Sequence, residues 1–228
     1  MSAKTPTKPP LPERHPILLV DDHPLIRERL AEILTREPDL TVCGETEDRG
    51  ETLEVIPLLR PTLAIIDLTL KNSDGLELVK DIHARWPEIK ILVVSMHDES
   101  VYAERVLRAG ALGYITKQEA SRHILTAVRR VLEGMVYVND RTASQIITRL
   151  TAHATTASTG NLSDLLADRE LQVFELTGRG LNTRQIAAQL HIGVKTVETY
   201  RARIREKLKV KDPRQLLQIA ISWTHHGL

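Results

Sequence analysis

The sequence predicts two domains of different class, a doubly wound α/β domain followed by an all-α module. Three observations carry this reading. The chain has 228 residues, long for one ordinary domain and suited to two of ~100–150 residues each. From His15 to Glu133 short apolar runs alternate with longer stretches of helical spacing, whereas beyond residue 164 only helical spacing remains. Charge divides in the same place. Residues 1–138 hold 18 Lys/Arg against 22 Asp/Glu, net −4, and residues 139–228 hold 13 against 8, net +5, together the formal +1 of the chain. A basic C-terminal module suits a polyphosphate partner.

The apolar runs are Ile17–Val20, Leu40–Cys43, Leu63–Ile66, Ile91–Val94 and Leu112–Ile115. They are apolar throughout instead of alternating, so each strand is covered on both faces, as in a parallel sheet. Between them, Pro24–Arg36, Asp48–Leu59, Asp74–Trp86, Ser100–Ala109 and Glu119–Glu133 repeat near 3.6; in the first, Leu25, Ile26, Leu30, Ile33 and Leu34 make the apolar spacing. Five strands and five helices make a flavodoxin-like (βα)5 domain over residues 15–138. Residues 1–14 read as a flexible tail. Asn139–Leu150 reads as one more helix, with Ala143, Ile146, Ile147 and Leu150 on a face, and the segment TAHATTASTGN after it as a tether, so that 139–163 forms a linker. The helices Asp168–Thr177, Thr183–Leu190, Val194–Leu208 and Pro213–Trp223 then form a four-helix module over 164–228.

Composition excludes several classes. With 42% hydrophobic and 27% charged residues the chain is neither disordered nor fibrous. No apolar run approaches the ~18 residues of a membrane span, and the N-terminus lacks the apolar core of a secretory signal. The single cysteine, Cys43, offers no disulfide or zinc pattern. The expectation is a cytoplasmic protein with no membrane partner.

In a sheet of this kind ligands bind beyond the carboxyl ends of the strands, where the winding reverses. Polar residues stand at those ends: Asp21 and Asp22 after the first strand, Asp67 after the third, Ser95 after the fourth and Lys117 after the fifth. Three carboxylates in one crevice repel one another unless a divalent cation lies among them. An oxygen-only ligand set without His or Cys nearby favours Mg2+ over zinc. A carboxylate oxygen can then attack a phosphoryl group to give an acyl phosphate, with Lys117 and Ser95 facing the phosphoryl oxygens. A lone Asp at any of these places would be only a cap or strand end; the combination points to chemistry.

The motifs VDDHP at 20–24, IIDLTLKNSDGLEL at 65–78, VVSMH at 93–97 and GYITK at 113–117 resemble the receiver domain of a two-component response regulator. The resemblance implies that Asp67 is the phosphoacceptor, that Asp21, Asp22 and Asp67 hold Mg2+ with the Thr69 carbonyl, that Ser95 and Tyr114 are switch residues, and that Lys117 is the site lysine. One departure is visible: Leu70-Lys71 stands where many receivers have Met-Pro.

In the basic module, Asn182 and Gln185 form a capping box opening Thr183–Leu190, and His191-Ile192-Gly193 makes a short turn before Val194–Leu208. Residues 194–211 carry seven Lys/Arg against Glu198 and Glu206, a charge pattern suited to phosphates with the helix in a major groove. Residues 164–223, through LADRELQVFEL and GLNTRQIAAQLHIGVKTVETYRARIREKL, resemble the LuxR-type DNA-binding domain. With the receiver, the chain resembles the NarL/FixJ family of transcriptional regulators. That implies base-edge contacts at Lys195, Glu198 and Thr199, and backbone contacts at Thr183, Thr196, Tyr200, Arg201 and Arg203. Ala167 and Gly193 stand where the family usually caps helices with Ser or Thr.

The function the resemblance implies is a regulator of double-stranded DNA. A sensor histidine kinase phosphorylates Asp67, Ser95 and Tyr114 move inward, and the face of the fourth helix, fifth strand and fifth helix repacks to favour a homodimer. Two rivals are a Mg-dependent phosphatase or phosphotransferase, and a DNA-binding protein whose receiver is a constitutive dimerisation unit. The first is disfavoured by the absence of lid insertions between the βα units, the second by the intact acidic pocket.

Overall fold

The structure is a computed structural model that describes residues 14–71, 73–152 and 162–226. Most of the expected tail and tether, residues 1–13 and 153–161, lies outside the described residues.

The α/β part runs β1 (His15–Val20), α1 (Pro24–Thr35), β2 (Leu40–Thr46), α2 (Arg49–Leu59), β3 (Leu63–Ile66), then a small antiparallel pair β4 (Thr69–Leu70) and β5 (Ser73–Asp74), α3 (Gly75–Arg85), β6 (Lys90–Ser95), α4 (Glu99–Arg108), β7 (Gly113–Thr116) and α5 (Lys117–Leu132). β2, β1, β3, β6 and β7 lie side by side in that order, all parallel. The chain leaves β1 towards β2 and returns on the other side as β3, so the reversal opens a crevice above β1 and β3.

Alternate strand residues feed two cores. Ile17, Leu19, Ile65, Leu92 and Ile115 pack with Leu30 and Leu34 of α1 and Ile124 and Val128 of α5. Leu18, Val20, Ala64, Ile66, Ile91, Val93 and Tyr114 face Leu78, Val79 and Ile82 of α3 and Tyr102 and Val106 of α4. The nearly continuous burial of β1, β3, β6 and β7 follows from two covered faces, whereas the edge strand β2 is only half-buried, with Glu45 exposed. Helix starts follow local chemistry. Asp48, Asp74, Asp98 and Thr116 each accept a backbone N–H of the first turn.

Two details went beyond the sequence reading. Thr69–Leu70 pairs antiparallel with Ser73–Asp74 where many receivers have the stiffening proline. Gly75 is a steric requirement: a Cβ there would lie 2.0 Å from the Asp67 carbonyl oxygen and 2.6 Å from Leu68 Cα. The bare backbone lets α3 start directly beneath the Asp67 loop.

The helical part comprises α6 (Asp140–Ala152), α7 (Leu162–Leu165), α8 (Asp168–Gly178), α9 (Thr183–Gln189), α10 (Val194–Lys207) and α11 (Pro213–His226). α6 packs against α4, and α8 is flanked by α10 and α11. Phe174 and Trp223 meet edge to face at 5.6 Å. The apolar core of α3 and α4 continues into this module through Leu166, Leu171 and Phe174, so the two parts are docked on each other. No helix among the described residues is long and apolar enough to cross a membrane.

Candidate functional site

Four strand ends converge as the spacing predicted. The Asp67 N–H donates to the Val20 carbonyl at 2.8 Å, which carries the β1–β3 register one step past the strands and sets Asp67 beside Asp21. Both side chains are buried, and the Lys117 ammonium lies between them, 2.6 Å from Asp21 Oδ2 and 2.7 Å from Asp67 Oδ2. Asp22 sits at the mouth. Its Oδ1 lies 2.7 Å from His23 Nδ1, and the same ring nitrogen is 3.2 Å from Asp21 Oδ1. The expected oxygen-only environment therefore needs correction, because an imidazole belongs to the cluster. His23 touches two of the carboxylates directly.

Burial raises the Asp67 carboxyl above its ordinary value and the negative charge of Asp21 adds to this, while Lys117 pulls the other way. Burial would lower Lys117, but the charges of Asp67 and Asp21 outweigh it and hold the ammonium above its usual range. The notch thus keeps a proton on the lysine with two buried carboxylates beside it.

The donor set fits a hard divalent cation. Asp21, Asp22, His23 and Asp67 offer ligand atoms within 4.8 Å of one another, and Asp67 Oδ1 is buried without a hydrogen-bond partner. Oxygen donors with unfilled lone pairs, next to a single ammonium, are what such an ion would satisfy.

Ser95 is fully buried at the end of β6. Tyr114 is also fully buried, and its hydroxyl donates to the His97 carbonyl at 3.0 Å. The Tyr114 ring lies inside, and burial pushes its hydroxyl well up. Thr69 lies at the rim with its Oγ1 3.2 Å from His97 Nε2.

The second set of predicted residues lies on α9 and α10. Lys195, Thr196, Glu198, Thr199 and Arg203 are exposed, with Val197 and Ile204 turned into the core. Tyr200 and Arg203 line the cleft between module and receiver. Arg201 is half-buried, donating to Thr183 Oγ1 at 2.9 Å and to Thr177 Oγ1 at 3.2 Å, so it braces the module from inside. Of the two unusual caps, Ala167 has its N–H accepted by Glu170 at 2.9 Å, half a capping box. Gly193 has no side-chain cap.

The domain contacts are what the sequence reading missed. Glu175, buried in the middle of α8, accepts from the Tyr102 hydroxyl at 3.0 Å and faces His97 Nδ1 at 3.0 Å. Asp168 is paired with Arg105 and with Lys80, 3.0 Å away, and Arg169 Nε lies 2.9 Å from Asp74. A usable signal existed: a buried acid inside an apolar helix needs a partner. Nothing in the sequence says the partner comes from another domain.

Known proteins agree with this architecture. Residues 17–129 match the model of the response regulator receiver domain, and residues 164–220 that of the bacterial regulatory proteins of the luxR family. The oxygen regulatory protein NreC of Staphylococcus haemolyticus (strain JCSC1435) is 32% identical over 208 residues, 90% of this chain and 96% of that protein. NreC of Staphylococcus aureus (strain bovine RF122 / ET3-1) is 31% identical over the same shares. Among solved structures, a LuxR-family two-component response regulator from Aurantimonas sp. SI85-9A1 aligns with a TM-score of 0.56 at 30% identity, covering 61% of this chain and 99% of that one. RcsB from Salmonella enterica serovar Typhimurium, bound to promoter P1flhDC with the phosphomimetic BeF3−, shares the fold at a TM-score of 0.61 and 24% identity, over 92% of this chain and 100% of that one. The chain therefore belongs to the NarL/FixJ-type response regulators, with a receiver domain followed by a LuxR-type DNA-binding domain and a role in phosphorylation-controlled transcription.

Proposed function

We propose that Asp67 is the residue phosphorylated and that the modification controls how α10 is presented to DNA. The carrying observation is the Lys117 ammonium between Asp67 and Asp21, with Asp67 Oδ1 left without a partner. A carboxylate oxygen of Asp67 forms the new P–O bond as the bond from phosphorus to the kinase histidine nitrogen breaks and the nitrogen keeps the electron pair. Lys117 then faces the added negative charge, and Ser95 supplies a hydroxyl donor from the neighbouring strand end.

Asp21, Asp22, Asp67 and the Thr69 carbonyl would hold Mg2+, whose charge when bound offsets that of the carboxylates and the phosphoryl oxygens. The chain's own residues do the rest. Asp67 takes up the group, Lys117 holds its proton, and the β6–α4 segment shifts around Ser95 while Tyr114 stays inside. That segment carries His97, whose ring faces Glu175 of the helical module, so a shift at Ser95 works directly on the docked interface. In this reading residues 1–14 are a flexible tail, 15–138 the receiver, 139–163 the linker helix and tether, and 164–228 the DNA-binding module.

Lys195, Glu198 and Thr199 read base edges and Thr183, Thr196, Tyr200 and Arg203 meet the backbone, two copies of the chain binding paired half-sites. Arg201 supports the helix from within. The protein works in the cytoplasm as a switch, not as an enzyme with turnover. Incubation with radiolabelled acetyl phosphate tests the assignment: the wild-type chain takes up acid-stable, base-labile label, and Asp67→Asn takes up none. Persistent label on that variant defeats it.

A further inference from the structure

The mouth of the acidic notch is touched by the DNA-binding module itself. Asp22 Oδ2 lies 2.9 Å from His191 Nε2, while Oδ1 faces His23 Nδ1 at 2.7 Å, so each oxygen of this nearly buried carboxylate has an imidazole against it. His191 stands in the turn between α9 and α10, held there with a left-handed backbone, φ 51°. The turn closes through the Ile192 N–H, which donates to the Ala187 carbonyl at 3.0 Å. Only Ile192 and Gly193 separate His191 from the first residue of α10, so the contact holds the leading turn of the recognition helix over the receiver.

A carboxylate oxygen facing an imidazole nitrogen cannot at the same time present that lone pair to a metal ion. Of the acidic side chains in the notch, Asp22 is the one engaged from another domain; Asp21 and Asp67 are held by Lys117 of the receiver. We propose that the His191–Asp22 contact sets Mg2+ occupancy of the notch against docking of the DNA-binding module, so that Mg2+ alone, before any phosphoryl transfer, loosens the module. The inference rests on the reading of the notch as a Mg2+ site. Linkage makes the effect reciprocal: the factor by which docking weakens Mg2+ binding is the factor by which Mg2+ weakens docking. Lys117 competes with the ion for the Asp21 and Asp67 oxygens in the same way whether or not His191 is present, so removing the imidazole isolates its share.

The experiment uses the full chain and His191→Asn, chosen because Asn tolerates a left-handed backbone and is too short to span the contact. Calorimetric titration with MgCl2 is expected to show about 5–10-fold tighter binding for His191→Asn, within the usual range of site-to-site coupling. Hydrogen exchange gives a second measurement on the wild-type chain alone: in Mg2+ without acyl phosphate, amides of residues 186–192 exchange faster than in chelator. This second measurement decides the matter if the variant does not fold. Equal Mg2+ affinity of the two proteins, or exchange in the turn unmoved by saturating Mg2+, overturns the inference while leaving the metal site standing. Absence of Mg2+ binding by both proteins overturns the metal site and the inference with it.

Discussion

Lys117 shows how one residue holds the site together. Its side chain is 4% exposed and lies against two carboxylates of similar burial. Removing one member of a buried charge group leaves the others uncompensated, at a cost of about 3–5 kcal/mol. Lys117→Ala is therefore expected to lower chemical-denaturation stability by about that amount in chelator. Mg2+ recovers part of the loss, because it supplies positive charge to the same oxygens. A variant as stable as wild type in chelator would show that the ammonium is not the counter-charge. The acidic pair, Asp67, Ser95 and Lys117 were legible in the sequence because each directly follows a strand whose end is fixed by its apolar run. Gly75 was not, since the need for a missing Cβ appears only once the Asp67 carbonyl lies 2.0 Å from where it would be.

At the scale of elements, α8 and α10 divide the work between docking and DNA. Glu175 of α8 is buried, which raises its carboxyl, but the His97 side chain, Arg179 and the Tyr102 hydroxyl outweigh burial and hold it below its ordinary 4.5. A carboxyl held lower when docked contributes stability that is fully present above pH 4.5 and fades as pH falls through the docked value. Acidification below pH 4.5 is thus expected to undock the helical module, read as an increase in the radius of gyration by small-angle scattering. Glu175→Gln should lose that acid step. On α10, exposed Lys195 and Arg203 make opposite predictions from similar charges. Lys195→Ala relaxes base preference, whereas Arg203→Ala weakens all sequences alike and flattens the salt dependence by about one. Equal losses on specific and random DNA for both variants would contradict that division. The helices themselves were legible from 3.6 spacing and caps such as Asn182 with Gln185. The β4–β5 hairpin was not, because two-residue strands carry no periodicity.

At the scale of the whole molecule, the helical module is docked on the receiver through a shared apolar core. Arg169 reaches from α8 to Asp74 beside the phosphoacceptor loop, and Tyr200 and Arg203 line the cleft between the module and the receiver. Arg169→Ala is expected to raise the DNA affinity of the unphosphorylated chain several-fold, the size of a typical coupling between sites; fluorescence anisotropy with a labelled duplex checks it, and unchanged affinity counts against occlusion by docking. By itself the sequence determined the two fold classes, the strand ends that carry the acids and the lysine, and the cationic recognition helix, because all of these depend on local periodicity and on chemistry at neighbouring positions. Only the tertiary structure decided that Glu175 meets His97 and Tyr102, and that His191 reaches Asp22. Those pairs join residues far apart in the chain, and their energy depends on the orientation of one folded body against another, which no local pattern encodes.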